Sequence, residues 1–141
     1  MADRMDVYLN FNGNASAVAL LYGKVFDKNV EIMKFKEFPT FAEMEGVNPD
    51  WIGHAEISFD NSNLMFSDGP GMKMVQGNNF SLSWATDNKE KFSKVWNNFV
   101  REGANVKEEP MKTFFASLYG RLEDPFGISW LLLYNDQNET M

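Results

Sequence analysis

The chain carries one histidine, His54, and a glutamate two positions later, Glu56. An imidazole that titrates near neutral pH beside a carboxylate suits proton abstraction or hydrogen bonding to a ligand. On an extended strand the two side chains share a face about 6.5–7 Å apart at Cα, a gap that long side chains span. Ser58 continues that face, whereas Ala55, Ile57 and Phe59 form the opposite, apolar one. The competing reading is a hydrogen-bonded surface or dimer-interface histidine, because no nucleophile or oxyanion clamp accompanies the pair.

The same alternation recurs in two further strands. Val7, Leu9 and Phe11 alternate with Tyr8 and Asn10, and Phe80, Leu82 and Trp84 alternate with Ser81 and Ser83. With the apolar sides on helices, Tyr8, Asn10, His54, Glu56, Ser58, Ser81 and Ser83 are expected to line the concave side of curled sheets, as a pocket for a small polar or aromatic ligand. Trp51 lies between Pro49 and the His54 strand, in an irregular segment (38–51) that also holds Phe38 and Phe41. It is expected to be exposed, as a lid over the pocket or part of a dimer interface. Asp68 precedes "GPG"; it either orients a ligand or accepts hydrogen bonds from the following turn amides.

Two helices must carry these strands. In "NASAVALLYGKVF", Val18, Leu21, Tyr22 and Val25 repeat at i, i+3, i+4, i+7, with Asn14 placed as N-cap. In "TDNKEKFSKVWNNFVREG", Phe92, Val95, Trp96 and Phe99 repeat that spacing, and Gly103 is the stop. The two apolar sets are offset by a constant 74 residues. Each helix follows an alternating strand and precedes three strand-like runs. The last two runs are joined by Asp60-Asn61-Ser62-Asn63 in one half and Asp124-Pro125-Phe126-Gly127 in the other. Both halves therefore read β-α-β-β-β, an internal duplication: module one about 5–68, a Gly-rich connection about 69–78, module two about 79–135, within one domain of residues 1–141.

Composition narrows the classes. The 141 residues are 44% apolar and 15% aromatic, enough for a core, and carry a net charge of -7. That charge disfavours nucleic acid and anionic membranes as partners. No cysteine is present, which excludes disulfides and thiolate chemistry and fits a cytoplasmic protein. No apolar run reaches membrane-span length. "GPGMKMVQGNN" is not followed by a Lys-Ser/Thr pair and carries no phosphate-loop reading.

The segments "YLNFNGNASAVALLYGKVF", "GHAEISF", "LMFSD", "FSLSWATDNKEKFSKVWNNFVREG" and "YGRLEDPFGISWLLL" resemble the PhnB-like branch of the glyoxalase/bleomycin-resistance (vicinal oxygen chelate) superfamily, over roughly residues 5 to 135. The most specific piece is Asp124, Phe126, Gly127 and Trp130 in "DPFGISW". The resemblance implies an α+β fold of two βαβββ modules with curled mixed sheets around a cavity, and a homodimer. Metal-dependent members hold a divalent ion through His and Glu side chains on four strands. Carried over, those positions fall on Asp6 or Val7, on Met65 or Phe66, on Ser81 and on Leu131, so no metal site is expected. Some relatives carry a demethylubiquinone methyltransferase label, but no Gly-rich strand–helix turn for a nucleotide-type methyl donor is present. The expectation is a metal-free, cofactor-free homodimer that binds an unidentified small molecule. The alternatives are a metal-independent enzyme using His54 and Glu56 for proton transfer, or a divalent-metal lyase or dioxygenase with differently placed ligands.

Overall fold

The structure is a computed structural model that describes residues 2–137. The chain divides into two compact units, Met1–Val75 and Gln76–Met141. In the first, β1 (Val7–Phe11), α1 (Ala15–Phe26), β2 (Glu31–Lys34), β3 (Ile52–Ser58) and β4 (Asn63–Asp68) follow in order, with short 3-10 turns at Phe35–Glu37 and Phe41–Glu43. In the second, β5 (Leu82–Thr86), α2 (Lys89–Arg101), β6 (Asn105–Met111), β7 (Leu118–Glu123) and β8 (Ser129–Tyr134) repeat the plan. The strand orders are β1-β4-β3-β2 and β5-β8-β7-β6. In each sheet the first and last strands run parallel and the other pairs antiparallel. Each sheet is mixed, as the duplicated α+β reading expects, and is not closed on itself.

In unit one, α1 packs on β3 and β4. Its stripe of Val18, Leu21, Tyr22 and Val25 is buried against Leu9, Phe11, Ala55, Ile57, Leu64 and Phe66, the apolar sides of β1, β3 and β4. Tyr22 meets Phe66 edge-on, with ring centroids 5.9 Å apart. Burying each such large apolar side chain contributes about 1.5–3 kcal/mol, which fixes which face of the sheet turns inward. Every strand must then present its alternate residues on the other side.

In unit two, α2 packs on β5 and β8. Phe92, Val95, Trp96 and Phe99 are buried together with Leu82, Leu122, Trp130 and Leu132. A Cβ at Gly120 would lie 2.6 Å from Trp96 Cζ3, so only glycine lets the indole pack on β7. The Asn88 side chain caps α2 by accepting from Lys91 N at 3.0 Å, and Gly103, at φ +100°, ends the helix.

The local expectations fail at three points. Asn14 occupies the α1 N-cap, but its side chain makes no capping bond; a carboxylate from β4 does that work. Phe80 lies outside β5 and is 47% exposed, so the inward side of that strand begins at Leu82. Phe114 and Phe115, which open the strand-like run "FFASLYGRLED", precede β7 and stand on the surface. No helix among the described residues is long and apolar enough to cross a membrane.

Candidate functional site

The open face of the first sheet gathers the chain's only histidine into a line of polar side chains. Tyr8 on β1 and Glu56 on β3 both register with Met65 on the intervening β4. Two strand spacings, about 9.5 Å, separate β1 from β3, a distance that a tyrosine and a histidine together bridge. Tyr8 Oη lies 3.4 Å from His54 Nδ1, with tilted rings whose centroids are 5.8 Å apart. His54 Nε2 lies 3.2 Å from Glu56 Oε1, and Glu56 Oε2 accepts from Asn63 Nδ2 at 3.0 Å. The line continues through the Asn63 backbone N–H, which donates to Asp6 Oδ1 at 2.9 Å, to Arg4 Nε, which donates to Asp6 Oδ2 at 2.6 Å. The Arg4 hydrogen bond, joined by that of Asn63 N, holds the Asp6 carboxyl below its ordinary range.

The His54 side chain is 37% exposed and that of Glu56 25%, so the pair is partly desolvated yet reachable. Across β2, Met33 registers with His54 and Glu31 with Glu56. Two carboxylates thus face each other across neighbouring strands, with one of them already engaged by His54 and Asn63. Such an arrangement favours donors and cations over anions.

Of the residues singled out from the sequence, Tyr8, His54 and Glu56 are brought into direct contact. Asn10 and Ser58 lie on the same face and are exposed, Asn10 in register with Ser67 and Ser58 with Asn63. In unit two, Ser81 just precedes β5 and its hydroxyl donates to Ser129 Oγ at 2.7 Å. Ser83 is exposed and registers with Leu131. That unit's open face carries an ion pair, Arg121 Nε to Glu108 Oε1 at 3.4 Å, and no histidine. An open groove of about 490 Å³ in unit two is lined by Gln76, Gly77, Asn78, Glu123 and Gly127, amides and a single carboxylate. The convergence of titratable groups is on unit one, and that makes its open face the stronger candidate.

Sequence reasoning missed Asn63. It was assigned to the hairpin turn, yet it is the first residue of β4, diagonal to Glu56 on the polar side. The alternation Asn63, Met65, Ser67 against Leu64 and Phe66 was the signal for it.

Trp51 and Asp68 sit in surroundings that the sequence did not indicate. Trp51 is half-buried rather than exposed, and its ring lies over the β1–α1 turn, where a Cβ on Gly13 would sit 2.8 Å from Cζ2. Asp68 does not serve the turn that follows it. It is 2% exposed, and Oδ1 accepts from Gly13 N at 2.7 Å and Ala15 N at 3.0 Å, while Oδ2 accepts from Ile52 N at 3.0 Å. One carboxylate therefore caps α1 and pins the start of β3 to the end of β4. Asp124 does comparable work in unit two: it accepts from Phe126 N, Ile128 N and, at 3.0 Å, Trp130 Nε1. The "DPFGISW" motif thus builds a turn and orients a core tryptophan.

These contacts bear on the groups that the resemblance brings with it. Asp6 already uses both carboxylate oxygens, and Phe66 is fully buried in the core. Ser81 is bonded to Ser129. No group of three or more His, Cys, Asp or Glu that could hold a metal occurs among the described residues. The residues do not fit the superfamily's metal centre. They fit a nucleotide-type methyl donor no better, because the amides of the β1–α1 turn that would receive an anionic group are taken by Asp68, and Trp51 covers the turn.

Residues 3–133 match the family described as 3-demethylubiquinone-9 3-methyltransferase. Protein YjdN of Escherichia coli (strain K12) is 25% identical over 142 residues, covering 94% of this chain and 96% of YjdN. Among solved structures, protein PA1353 from Pseudomonas aeruginosa superposes with a TM-score of 0.81 at 27% identity, covering 96% of this chain and 100% of that one. A putative 3-demethylubiquinone-9 3-methyltransferase, PhnB protein, from Bacillus cereus does so with a TM-score of 0.69 at 19% identity, covering 94% and 99%. The chain belongs to this PhnB-like 3-demethylubiquinone-9 3-methyltransferase family, and its fold is that of the glyoxalase/bleomycin-resistance superfamily.

Proposed function

We propose that the protein is a metal-free small-molecule-binding homodimer whose ligand engages the polar sheet faces. The observation that supports this most is the contiguous line Tyr8–His54–Glu56–Asn63 on the open face of the first sheet. Asn10, Ser58 and Trp51 are further proposed contributors in unit one, and Ser81 and Ser83 are the proposed contributors on unit two's own open face. In a pocket of this type a few fixed polar groups set orientation and apolar neighbours supply affinity. Met65 and Met33, registered beside Glu56 and His54, are adaptable neighbours of that kind. The homodimer follows the family resemblance. The exposed Met111, Phe114 and Phe115 form apolar surface that association would remove from water.

A second reading, metal-independent proton transfer by His54 and Glu56, is favoured by their 3.2 Å contact. The first test is equilibrium dialysis against zinc, manganese, nickel and magnesium, where the proposal expects no stoichiometric uptake and tight binding of one ion per chain contradicts it. The second is a ligand screen against small polar and aromatic compounds. For a hit, His54→Ala weakens affinity modestly in a binding protein. Collapse of turnover with affinity retained supports the enzyme instead.

A further inference from the structure

The hydrogen-bond pattern around His54 assigns direction as well as contact. A glutamate carboxylate accepts hydrogen bonds on both oxygens. Glu56 Oε2 accepts from the Asn63 amide, and Oε1, 3.2 Å from Nε2, is placed to accept a hydrogen bond from an imidazole N–H. The opposite tautomer would set the Nε2 lone pair against that oxygen, two acceptors facing each other. With the proton on Nε2, neutral His54 presents a lone pair at Nδ1, and the Tyr8 hydroxyl lies beside it at 3.4 Å as a donor. The Tyr8 proton is thereby turned inward. Its oxygen, on a residue 44% exposed, is left with lone pairs toward the open face.

We propose that Glu56, held by Asn63, locks His54 in the Nε2–H tautomer and so makes the Tyr8 oxygen a fixed hydrogen-bond acceptor that selects ligands donating an N–H or O–H, organic ammonium groups above all. Tyr8 is the ligand-contacting group in this arrangement, and His54, Glu56 and Asn63 are positioning residues. The phenol donates to an imidazole that itself donates to a carboxylate, and each bond in such a chain polarises the next, which strengthens the terminal oxygen as an acceptor. The charges nearby agree in sign: Glu31 registers with Glu56 on the neighbouring strand, and Arg4 is engaged by Asp6. This assignment rests on the open face of unit one being the binding site, and deepens that reading by naming the ligand's chemistry.

Because His54 is the only histidine, ring-nitrogen NMR of the uniformly 15N-labelled full chain reads its tautomer without assignment ambiguity. The measurement is made at mildly alkaline pH, where an ordinary imidazole is neutral. The expected spectrum has a pyrrole-like Nε2 and a pyridine-like Nδ1. Glu56→Ala is expected to lose this preference and give averaged shifts, while Tyr8→Phe retains it. A wild-type Nδ1–H tautomer, or an unchanged spectrum in Glu56→Ala, overturns the lock.

The ligand arm uses benzylammonium and benzoate as matched probes. Benzylammonium is expected to perturb the His54 ring signals and to bind about tenfold or more weakly to Tyr8→Phe, the loss expected for a hydrogen bond to a charged group. Perturbation by benzoate alone overturns donor selection while leaving a binding site on this face. Perturbation by neither probe overturns the ligand assignment and leaves the tautomer result to stand by itself.

Discussion

Replacing Asp68 by alanine tests how the site is held in place. The carboxylate accepts from three backbone N–H groups, and the bonds from Ala15 and Ile52 are buried. A buried donor left without an acceptor costs about 1–3 kcal/mol, so the two give roughly 2–6 kcal/mol. The Gly13 bond is only partly buried and adds less, since water reaches that amide. Against a typical domain stability of roughly 5–15 kcal/mol, the loss is large enough to lower a urea midpoint well outside error. Asp68→Asn separates charge from shape. Asparagine retains one acceptor for the α1 turn but presents a donor to Ile52 N, so it is expected to cost about 1.5–3 kcal/mol, between wild type and alanine. The assay is urea unfolding followed by the fluorescence of the four tryptophans, with the slope unchanged between variants. A midpoint for Asp68→Ala that corresponds to a loss below about 1 kcal/mol refutes the reasoning, because buried amides would then have found other acceptors.

Further expectations concern single contacts. Asp124→Ala frees the Trp130 indole N–H and the Phe126 and Ile128 amides, so near-ultraviolet circular dichroism should lose its tryptophan signature and stability should fall by about 2–6 kcal/mol. Gly120→Ala forces a methyl against Trp96 and is expected to cost about 1–3 kcal/mol in the same urea assay. Phe114→Ala, at a side chain 92% exposed, should change monomer stability by no more than about 0.5 kcal/mol. Asp6, whose folded pKa lies below its ordinary value of 3.8, contributes stability that is present above pH 3.8 and lost as pH falls through the lower folded value. Asp6→Asn should therefore remove part of the acid-limb slope of stability, and an identical slope in the variant counts against the Arg4–Asp6–Asn63 contacts.

Much of the fold was legible because it rests on short-range periodicity. The stripes Val18-Leu21-Tyr22-Val25 and Phe92-Val95-Trp96-Phe99 are both buried, and the alternation through His54–Phe59 does separate a polar from an apolar face. The His54–Glu56 contact was equally readable, since i and i+2 on a strand are neighbours on one face. What escaped depends on residues far apart in the chain. Asp68 serves amides at Gly13, Ala15 and Ile52, and nothing in the local pattern favours it over Asn14, a good capping residue in a capping position. Trp51 reads as exposed because it neighbours Pro49; its half-buried state follows from Gly13, 38 residues earlier, where the missing Cβ makes room for the ring. Asn63 was hidden by its type, since asparagine beside aspartate and serine signals a turn more strongly than a strand.

The most direct measurement of where this protein binds is an amide shift map: backbone 1H–15N spectra of the full chain recorded with and without benzylammonium. The saturating shifts are expected to cluster on the strands bearing Tyr8, Asn10, His54, Glu56, Asn63 and Met65, and to require about tenfold or more benzylammonium in Tyr8→Phe. Saturable shifts confined to the Gln76–Asn78 groove, or spread evenly over both units, would contradict it.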